Sequence, residues 1–465
     1  MTLGILVTEV SKYLICLVML LYVIESFAAL LYSDLKKERS AALRMRIWML
    51  LIGVLFFAQT AANTGSLDHL AYFAGLFILI IITPSLYNIL FKVEEPLIIN
   101  HMCMLLMIGM TIILRVDTHK ALRQLIIVYF SIFVGLIGLW IIRKIDIAFE
   151  KYGYVYLFAG IAAILVVLVL GSITYGSHLS IKIFGLTFQP SEFVKLLLVL
   201  FSAGMLYEKQ DMKHVAISGA GAAAEVLILA LSKDLGAALI YFVVYIFILY
   251  VASGKAIYPF LGAVFGTAAG VASYFIFDHV KNRVTVFIDP WSHISSGGYQ
   301  VGLSLFAISA GGFFGLGLFN GNPSVIPHVE EDVIFSAIAE ELGFIFAMLM
   351  LAVCIAVFLV YMRAASRSTD KFKRLVYIGL GVQYIFQIFL TVGGGTKFIP
   401  LTGVTLSLVS YGGSSVLSTI FSISLFEGLR SKEKYDEAEY EEGGPEYETS
   451  TGKKNNKTKR LLKKG

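Results

Sequence analysis

Long apolar stretches separated by short polar connectors run along most of the chain. By hydropathy they fall near residues 8–32, 46–63, 69–91, 98–115, 123–142, 153–173, 188–206, 214–231, 234–253, 257–278, 332–361, 374–394 and 403–428. Each is about as long as a helix that crosses a bilayer, roughly 20 residues, and none has the ten-residue alternation of an outer-membrane barrel. The pattern predicts an all-α polytopic membrane protein of about thirteen transmembrane helices. No internal repeat is evident.

The connectors set an expected orientation, because short cytoplasmic loops carry excess Lys and Arg. Lys36, Lys37, Arg39, Arg44 and Arg46 form one basic group, Arg143, Lys144 and Lys151 a second, and Arg363, Arg367, Lys371, Lys373 and Arg374 a third. With thirteen helices all three fall on one side, together with the C-terminal tail. The N-terminus and a long loop over 279–331 then face outward. From 431 onward acidic and basic blocks alternate without apolar periodicity, which predicts a disordered cytoplasmic tail whose last basic block could touch anionic lipid.

Composition agrees with the pattern. The chain is 58% hydrophobic and only 15% charged, against about 25% charged in a soluble domain. A net charge of +5 follows from the basic connectors and gives no ground for nucleic-acid binding. Cys16, Cys103 and Cys354 lie singly in apolar runs, as inert buried thiols rather than a disulfide or metal set. The first apolar run contains Glu9 and Lys12 and no small-residue cleavage site, so it reads as a retained helix rather than a signal peptide.

Ionisable residues at membrane depth are costly, and each is a functional candidate. In FQPSEFVK, Pro190 suits a helix start, Glu192 meets the positive end of the helix dipole, and Lys195 shares its face at i+3, either as a self-satisfied ion pair or as a ligand-holding pair. Lys233 and Asp234 sit in a short connector. In HVEEDVIFSAIAEELG, Asp332, Ser336 and Glu340 share one helix face at i, i+4 and i+8, with Glu341 about 100° away. That stripe predicts either a hydrated cavity or acids bonded to neighbouring helices. Lys397 stands at an outer helix end before the small residues of SYGGSS, which suit close helix packing. The glycines of GGFFGLGLFNG do not make a nucleotide-binding fingerprint. The 279–331 loop has little obvious secondary structure, and connections that long are uncommon unless functional or disordered. With Asp289, Glu331, Asp332, Arg283 and Lys397 gathered there, it suits an anionic amphiphile entering from the bilayer.

Taken in order, QPSEFVK, KDLGAAL, GYQVGLSLFAISAGGFFGLGL, EEDVIFSAIAEELG and IPLTGVTLSLVSYGGSS closely resemble the SEDS family, the RodA, FtsW and SpoVE group. The resemblance covers about 97–430, ten helices. It leaves residues 1–96 as three additional N-terminal helices, as in longer RodA-like members, and 431–465 as the tail. It implies a peptidoglycan glycosyltransferase that polymerises lipid II on the outer face of the cytoplasmic membrane, with a class B penicillin-binding protein as transpeptidase partner. The three elongation, division and sporulation roles share these motifs, and whether a divalent cation assists the pyrophosphate is not written in them.

The resemblance also implies site residues. The family pattern DPxxDPxGxGYQ, set on Asp289-Pro290 and Gly298-Tyr299-Gln300, places His293 where the family has its catalytic aspartate. A neutral histidine can serve as a base, so His293 or Asp289 is the expected catalytic residue. Loss of turnover, leaving a scaffold for the transpeptidase, is the alternative, and transport of a lipid-linked precursor is a third reading. Glu192, Lys195, Asp234, Asp332, Glu341 and Lys397 match the family, and with Arg283 they are the expected substrate-binding set.

Overall fold

The computed structural model describes residues 3–442 except 33, 92, 146–147, 171, 175–176 and 184–185. Each of the thirteen apolar stretches contains one helix, although residues 403–412 of the last stretch are non-helical: α1 (Leu3–Leu30), α2 (Leu35–Thr64), α3 (Leu70–Phe91), α4 (Pro96–Val116), α5 (Thr118–Lys144), α6 (Gly153–Leu170), α7 (Ser191–Leu206), α8 (Met212–Leu231), α9 (Leu235–Ser253), α10 (Ile257–Ile276), α13 (Ile334–Arg367), α14 (Lys371–Gly395) and α15 (Gly413–Glu442). Eleven of the helices among the described residues are long and apolar enough to cross a membrane. The protein is a multi-pass, all-α membrane protein.

Three features depart from the hydropathy pattern. The 279–331 loop is not structureless: it contains α11 (Asp278–Ile288) and α12 (Gly298–Gly311). Between α6 and α7 the chain forms a small antiparallel sheet, β1 (Ser172–Thr174), β2 (Ser177–Ile183) and β3 (Leu186–Phe188). The charged tail expected to be unstructured from 431 continues α15 to Glu442, and its remainder lies outside the described residues.

α4 is the hub. All but its last two residues are buried, wrapped by α2, α3, α5 and α13. Gly109 permits one of these contacts, since a Cβ there would fall 2.1 Å from the Val409 carbonyl oxygen. The end of the bundle carrying α11 and α12 is called here the loop face, and the opposite end the basic face. At the basic face Arg363 of α13 pairs with Glu38 of α2 at 2.8 Å and with Glu95 just before α4. Arg430 of α15 reaches Glu433 at 2.9 Å and Glu95 at 3.7 Å. Arg363 is therefore more than a topology signal: it stitches α2, α4 and α13 together.

α13 is broken near the loop face. Gly343 has φ +90° and ψ 164°, a conformation glycine adopts without steric cost. The glycine-rich stretch after α12 lies against the break and satisfies it. Leu316 and Gly317 N–H groups donate to the Glu340 and Glu341 carbonyls, and Phe344 and Ile345 N–H groups donate to the Gly312 and Phe313 carbonyls, at 2.8–3.1 Å. Non-helical backbone at membrane depth persists only where protein satisfies it. A Cβ on Gly315 would lie 2.3 Å from the Glu341 carbonyl oxygen, so these glycines serve close backbone approach.

Candidate functional site

A cavity of about 360 Å³ opens at the loop face between the α8–α9 connector, α11, the start of α12, the segment before α13, and the α14–α15 connector. Its wall carries Lys233, Arg283, His328 and Lys397 beside Glu192, Asp234, Glu331 and Asp332. Of these, Lys233, His328 and Lys397 have positive φ, at 63°, 54° and 57°. Non-glycine residues held in this region cost energy and concentrate at functional sites. The chain spends strain to aim three basic side chains at one space.

Asp332 and Arg283 form the centre of the wall. Both face Gly403, where a Cβ would lie 3.6 Å from Arg283 Nη2 and 4.0 Å from Asp332 Oδ2. Gly403 itself has φ +71°. Arg283 Nη1 donates to the Thr402 carbonyl at 3.0 Å, and burial lowers its pKa. Asp332 Oδ1 accepts from Gln300 Nε2 at 3.2 Å. Burial raises the Asp332 pKa, opposed by hydrogen bonds and the Arg283 charge. A carboxylate made more basic in this way is suited to taking a proton.

Asp234 caps α9, accepting from the Ala237 N–H at 3.1 Å, and its other oxygen accepts from Ser191 Oγ and Gln189 Nε2, both at 3.3 Å. Burial raises its pKa as well. Beneath it, Lys195 Nζ donates to Glu192 at 2.8 Å and to Gln387 Oε1 at 2.7 Å, and Ser418 Oγ adds a bond to Glu192 at 3.3 Å. Only Glu192 of this pair reaches the cavity. Lys195 is 2% exposed and neutralises the floor from below.

The remaining expected residues lie elsewhere. Glu341 does not line the cavity: it is fully buried and pairs with Arg115 Nε of α4 at 2.7 Å. The expected polar stripe is neither one helix face nor one wet surface, because α13 begins at Ile334 and Asp332 stands in the turn before it. Asp332 meets the cavity, Ser336 bonds Ser304, and Glu340 accepts from the Asn322 N–H at 2.9 Å. Asp289 and His293 are absent from the cavity wall, although Gly297, Gln300 and Val301 of the same loop are part of it. The Asp289 carboxylate accepts from Ser292 Oγ at 2.6 Å and from the Trp291 and Ser292 N–H groups at 3.1 and 3.2 Å. These bonds, that of the Ser292 hydroxyl first, hold its pKa below the usual range. His293 Nδ1 lies 2.9 Å from the Asp289 carbonyl oxygen. Because a carbonyl can only accept, Nδ1 carries the proton and the basic lone pair of the neutral ring is on Nε2.

Lys233, Gln300 and His328 are cavity residues that the sequence did not assign to the site, and Glu331 was noted only as one of the charges gathered at the loop. Gln300 was visible only as part of the Gly-Tyr-Gln motif and the others only as polar or charged positions, and the backbone conformation that aims Lys233 and His328 has no sequence signal in a non-glycine residue. Among the described residues no three His, Cys, Asp or Glu side chains converge as a metal-ligand set.

The chain is 33% identical over 294 residues to "Peptidoglycan glycosyltransferase RodA" of Mycobacterium tuberculosis, an alignment covering 59% of this chain and 63% of that protein. It thus spans less than two thirds of the length of its mycobacterial relatives. It is 30% identical over 311 residues to "Probable peptidoglycan glycosyltransferase FtsW" of a Geobacter species, covering 64% and 84% respectively. Its fold is similar to a chain in a solved structure on structural coordination of polymerization and crosslinking by a peptidoglycan synthase complex, with TM-score 0.62, 22% identity, and coverage of 72% of this chain and 97% of that one. Thermus thermophilus rod shape determining protein RodA is also similar, with TM-score 0.53 and 22% identity over 72% of this chain and 96% of that one. The model of the FtsW, RodA and SpoVE cell cycle proteins matches residues 95–435, beginning where α4 begins. The chain belongs to the FtsW/RodA/SpoVE family.

Proposed function

We propose that this protein is a peptidoglycan glycosyltransferase that polymerises lipid II at its loop face. The observation that carries the reading is the cavity whose wall carries Arg283, Lys233 and Lys397 together with the raised-pKa carboxylate of Asp332. Family membership and the names of the relatives support it. The basic connectors at the opposite face support an orientation with the loop face external and the C-terminus cytoplasmic.

The acceptor sugar hydroxyl attacks the anomeric carbon of the donor. The new C–O bond forms as the bond to the phosphate oxygen breaks, and undecaprenyl pyrophosphate leaves with the electron pair. Asp332 takes the hydroxyl proton. Arg283, Lys233 and Lys397 offset charge growing on the pyrophosphate, and cations already fixed by the fold need no reorganisation to do so. Glu192 and Asp234 bound the other side of the cavity and suit sugar or peptide hydrogen bonds. The peptide side chains of the product require crosslinking, and a class B penicillin-binding protein is the partner whose chemistry supplies it.

A second reading concerns the base alone. The His293 ring is oriented by the Asp289 carbonyl so that its lone pair sits on Nε2, the arrangement a histidine base uses. In vitro polymerisation of lipid II by the purified protein separates the two. Asp332→Asn abolishes polymer and His293→Ala retains it if Asp332 is the base, and the reverse pattern assigns the proton to His293. No polymer from the unchanged protein, with or without its transpeptidase, contradicts the glycosyltransferase reading.

A further inference from the structure

The family match starts at residue 95, so α1–α3 lie outside it. Besides apolar packing and the Glu38 pair at the basic face, several polar contacts of α1 and α2 converge on one short segment at the loop face. On α2, Gln59 and Asn63 stand one turn apart and take both backbone groups of one residue. The Leu318 N–H donates to Gln59 Oε1 at 3.0 Å, and Asn63 Nδ2 donates to the Leu318 carbonyl at 2.6 Å. α1 orients both carboxamides: Gln59 Nε2 donates to Ser11 Oγ at 2.8 Å, and Thr8 Oγ1 donates to Asn63 Oδ1 at 2.9 Å. Gln59 is fully buried, so its amide must be paired, and here both ends are.

The neighbouring residues are gripped by shape. Gly317, at φ +92°, lies so close to the Thr8 methyl group that a Cβ would fall 2.3 Å from it. Phe319, at φ +69°, is held between the His69 ring, stacked at 6.2 Å between centroids, and the Arg115 guanidinium at 5.0 Å. From Leu318 the chain is tied at each step toward the cavity. Arg115 Nη2 donates to the Gly321 carbonyl at 2.8 Å, Glu340 holds the Asn322 N–H, and Gln300 Nε2 donates to the Pro327 carbonyl at 2.9 Å and to Asp332.

We propose that α1 and α2 are a positioning brace for the reaction: Gln59 and Asn63 fix Leu318, and through the segment from 318 to 332 they set where Asp332 stands in the cavity. Gln59 and Asn63 are positioning residues and touch no substrate. The functional consequence rests on the cavity being the catalytic site; the clamp itself does not.

The test uses the full chain in proteoliposomes with Leu318→Cys as a reporter. The three native cysteines are buried, and Leu318 is buried as well, so a water-soluble maleimide labels the reporter slowly. Adding Gln59→Leu with Asn63→Leu is expected to raise the labelling rate at least tenfold. In the chain without the reporter, the same pair is expected to lower kcat for lipid II polymerisation about tenfold with KM changed less than twofold, because substrate contacts are intact while the base is displaced. Thr8→Val, which removes only the hydroxyl orienting Asn63, is a milder variant expected to shift both readouts in the same directions. An unchanged labelling rate overturns the clamp. Faster labelling with unchanged kcat overturns the positioning role. If the unchanged protein makes no polymer, the glycosyltransferase reading fails and labelling alone decides the clamp.

Discussion

Two acidic groups share the loop face, and the fold treats them oppositely. Asp332 and Asp234 border an open cavity with raised pKa values and face Arg283 and Lys233 across space that a substrate can enter. Glu340 and Glu341, eight and nine residues along from Asp332, are closed off by Arg115 and the backbone of residues 321–322. The same kind of side chain, a carboxylate, is chemistry at the mouth and carpentry deeper along α13. What separates them is the break at Gly343, which lets the glycine-rich segment fold onto α13 and seal the deeper pair.

Substitutions can widen or erase that contrast. The largest effect is expected at Asp332→Asn, which removes the proton acceptor with little change of shape. Polymerisation should fall by about a thousandfold, within the usual range for a general base, with the melting temperature in detergent nearly unchanged. Arg283→Ala should follow, lowering kcat by about a hundredfold through lost stabilisation of the leaving pyrophosphate, measured by lipid II turnover.

Glu341→Leu should invert the pattern. It leaves the partly buried Arg115 charge without its partner, a loss of at most roughly 3–5 kcal/mol, the scale for a fully buried pair, seen as a drop in melting temperature. Turnover per folded molecule should stay within a few-fold. An equal loss of turnover and stability at both positions would erase the distinction between the two groups.

A smaller, graded effect is expected with pH. The Asp332 pKa lies above 3.8, so as pH falls through it the carboxylate protonates and kcat/KM declines. Asp289, held below 3.8 by its Ser292 bonds, stays ionised over that range and cannot produce the limb. The acid limb should therefore vanish in the residual activity of Asp332→Asn and persist in Asp289→Ala.

Much of the architecture was legible because lipid imposes a simple rule: an apolar run near 20 residues must become a helix. Each of the thirteen runs contains a helix, including α7, which is only 16 residues long, but the 403–428 run is helical only from Gly413. The motif around Glu192 and Lys195 read as a helix start with both charges on one face, which the 2.8 Å ion pair matches, but the sequence left open whether the pair also holds a ligand. Hydropathy could not show α11 and α12 within the loop, because these helices carry a mixture of polar and apolar residues without the length of a span. The stripe Asp332, Ser336 and Glu340 was expected on one helix face, but α13 begins at Ile334, so Asp332 stands in the turn before it and only Ser336 and Glu340 are on the helix; their three environments were not legible, since each partner comes from a segment distant in sequence. Lys233 and His328 escaped because positive φ in a non-glycine residue is a tertiary imposition. The expected roles of Asp289 and His293 came from a loop pattern, and the structure sets both outside the cavity wall while their neighbours Gly297 and Gln300 form part of it.

The most direct measurement is single-turnover polymerisation of lipid II by the purified protein, comparing the unchanged chain with Asp332→Asn and His293→Ala at matched folded concentration. The account predicts polymer from the unchanged protein and from His293→Ala, and a loss on the order of a thousandfold in Asp332→Asn. Full activity in Asp332→Asn would contradict it.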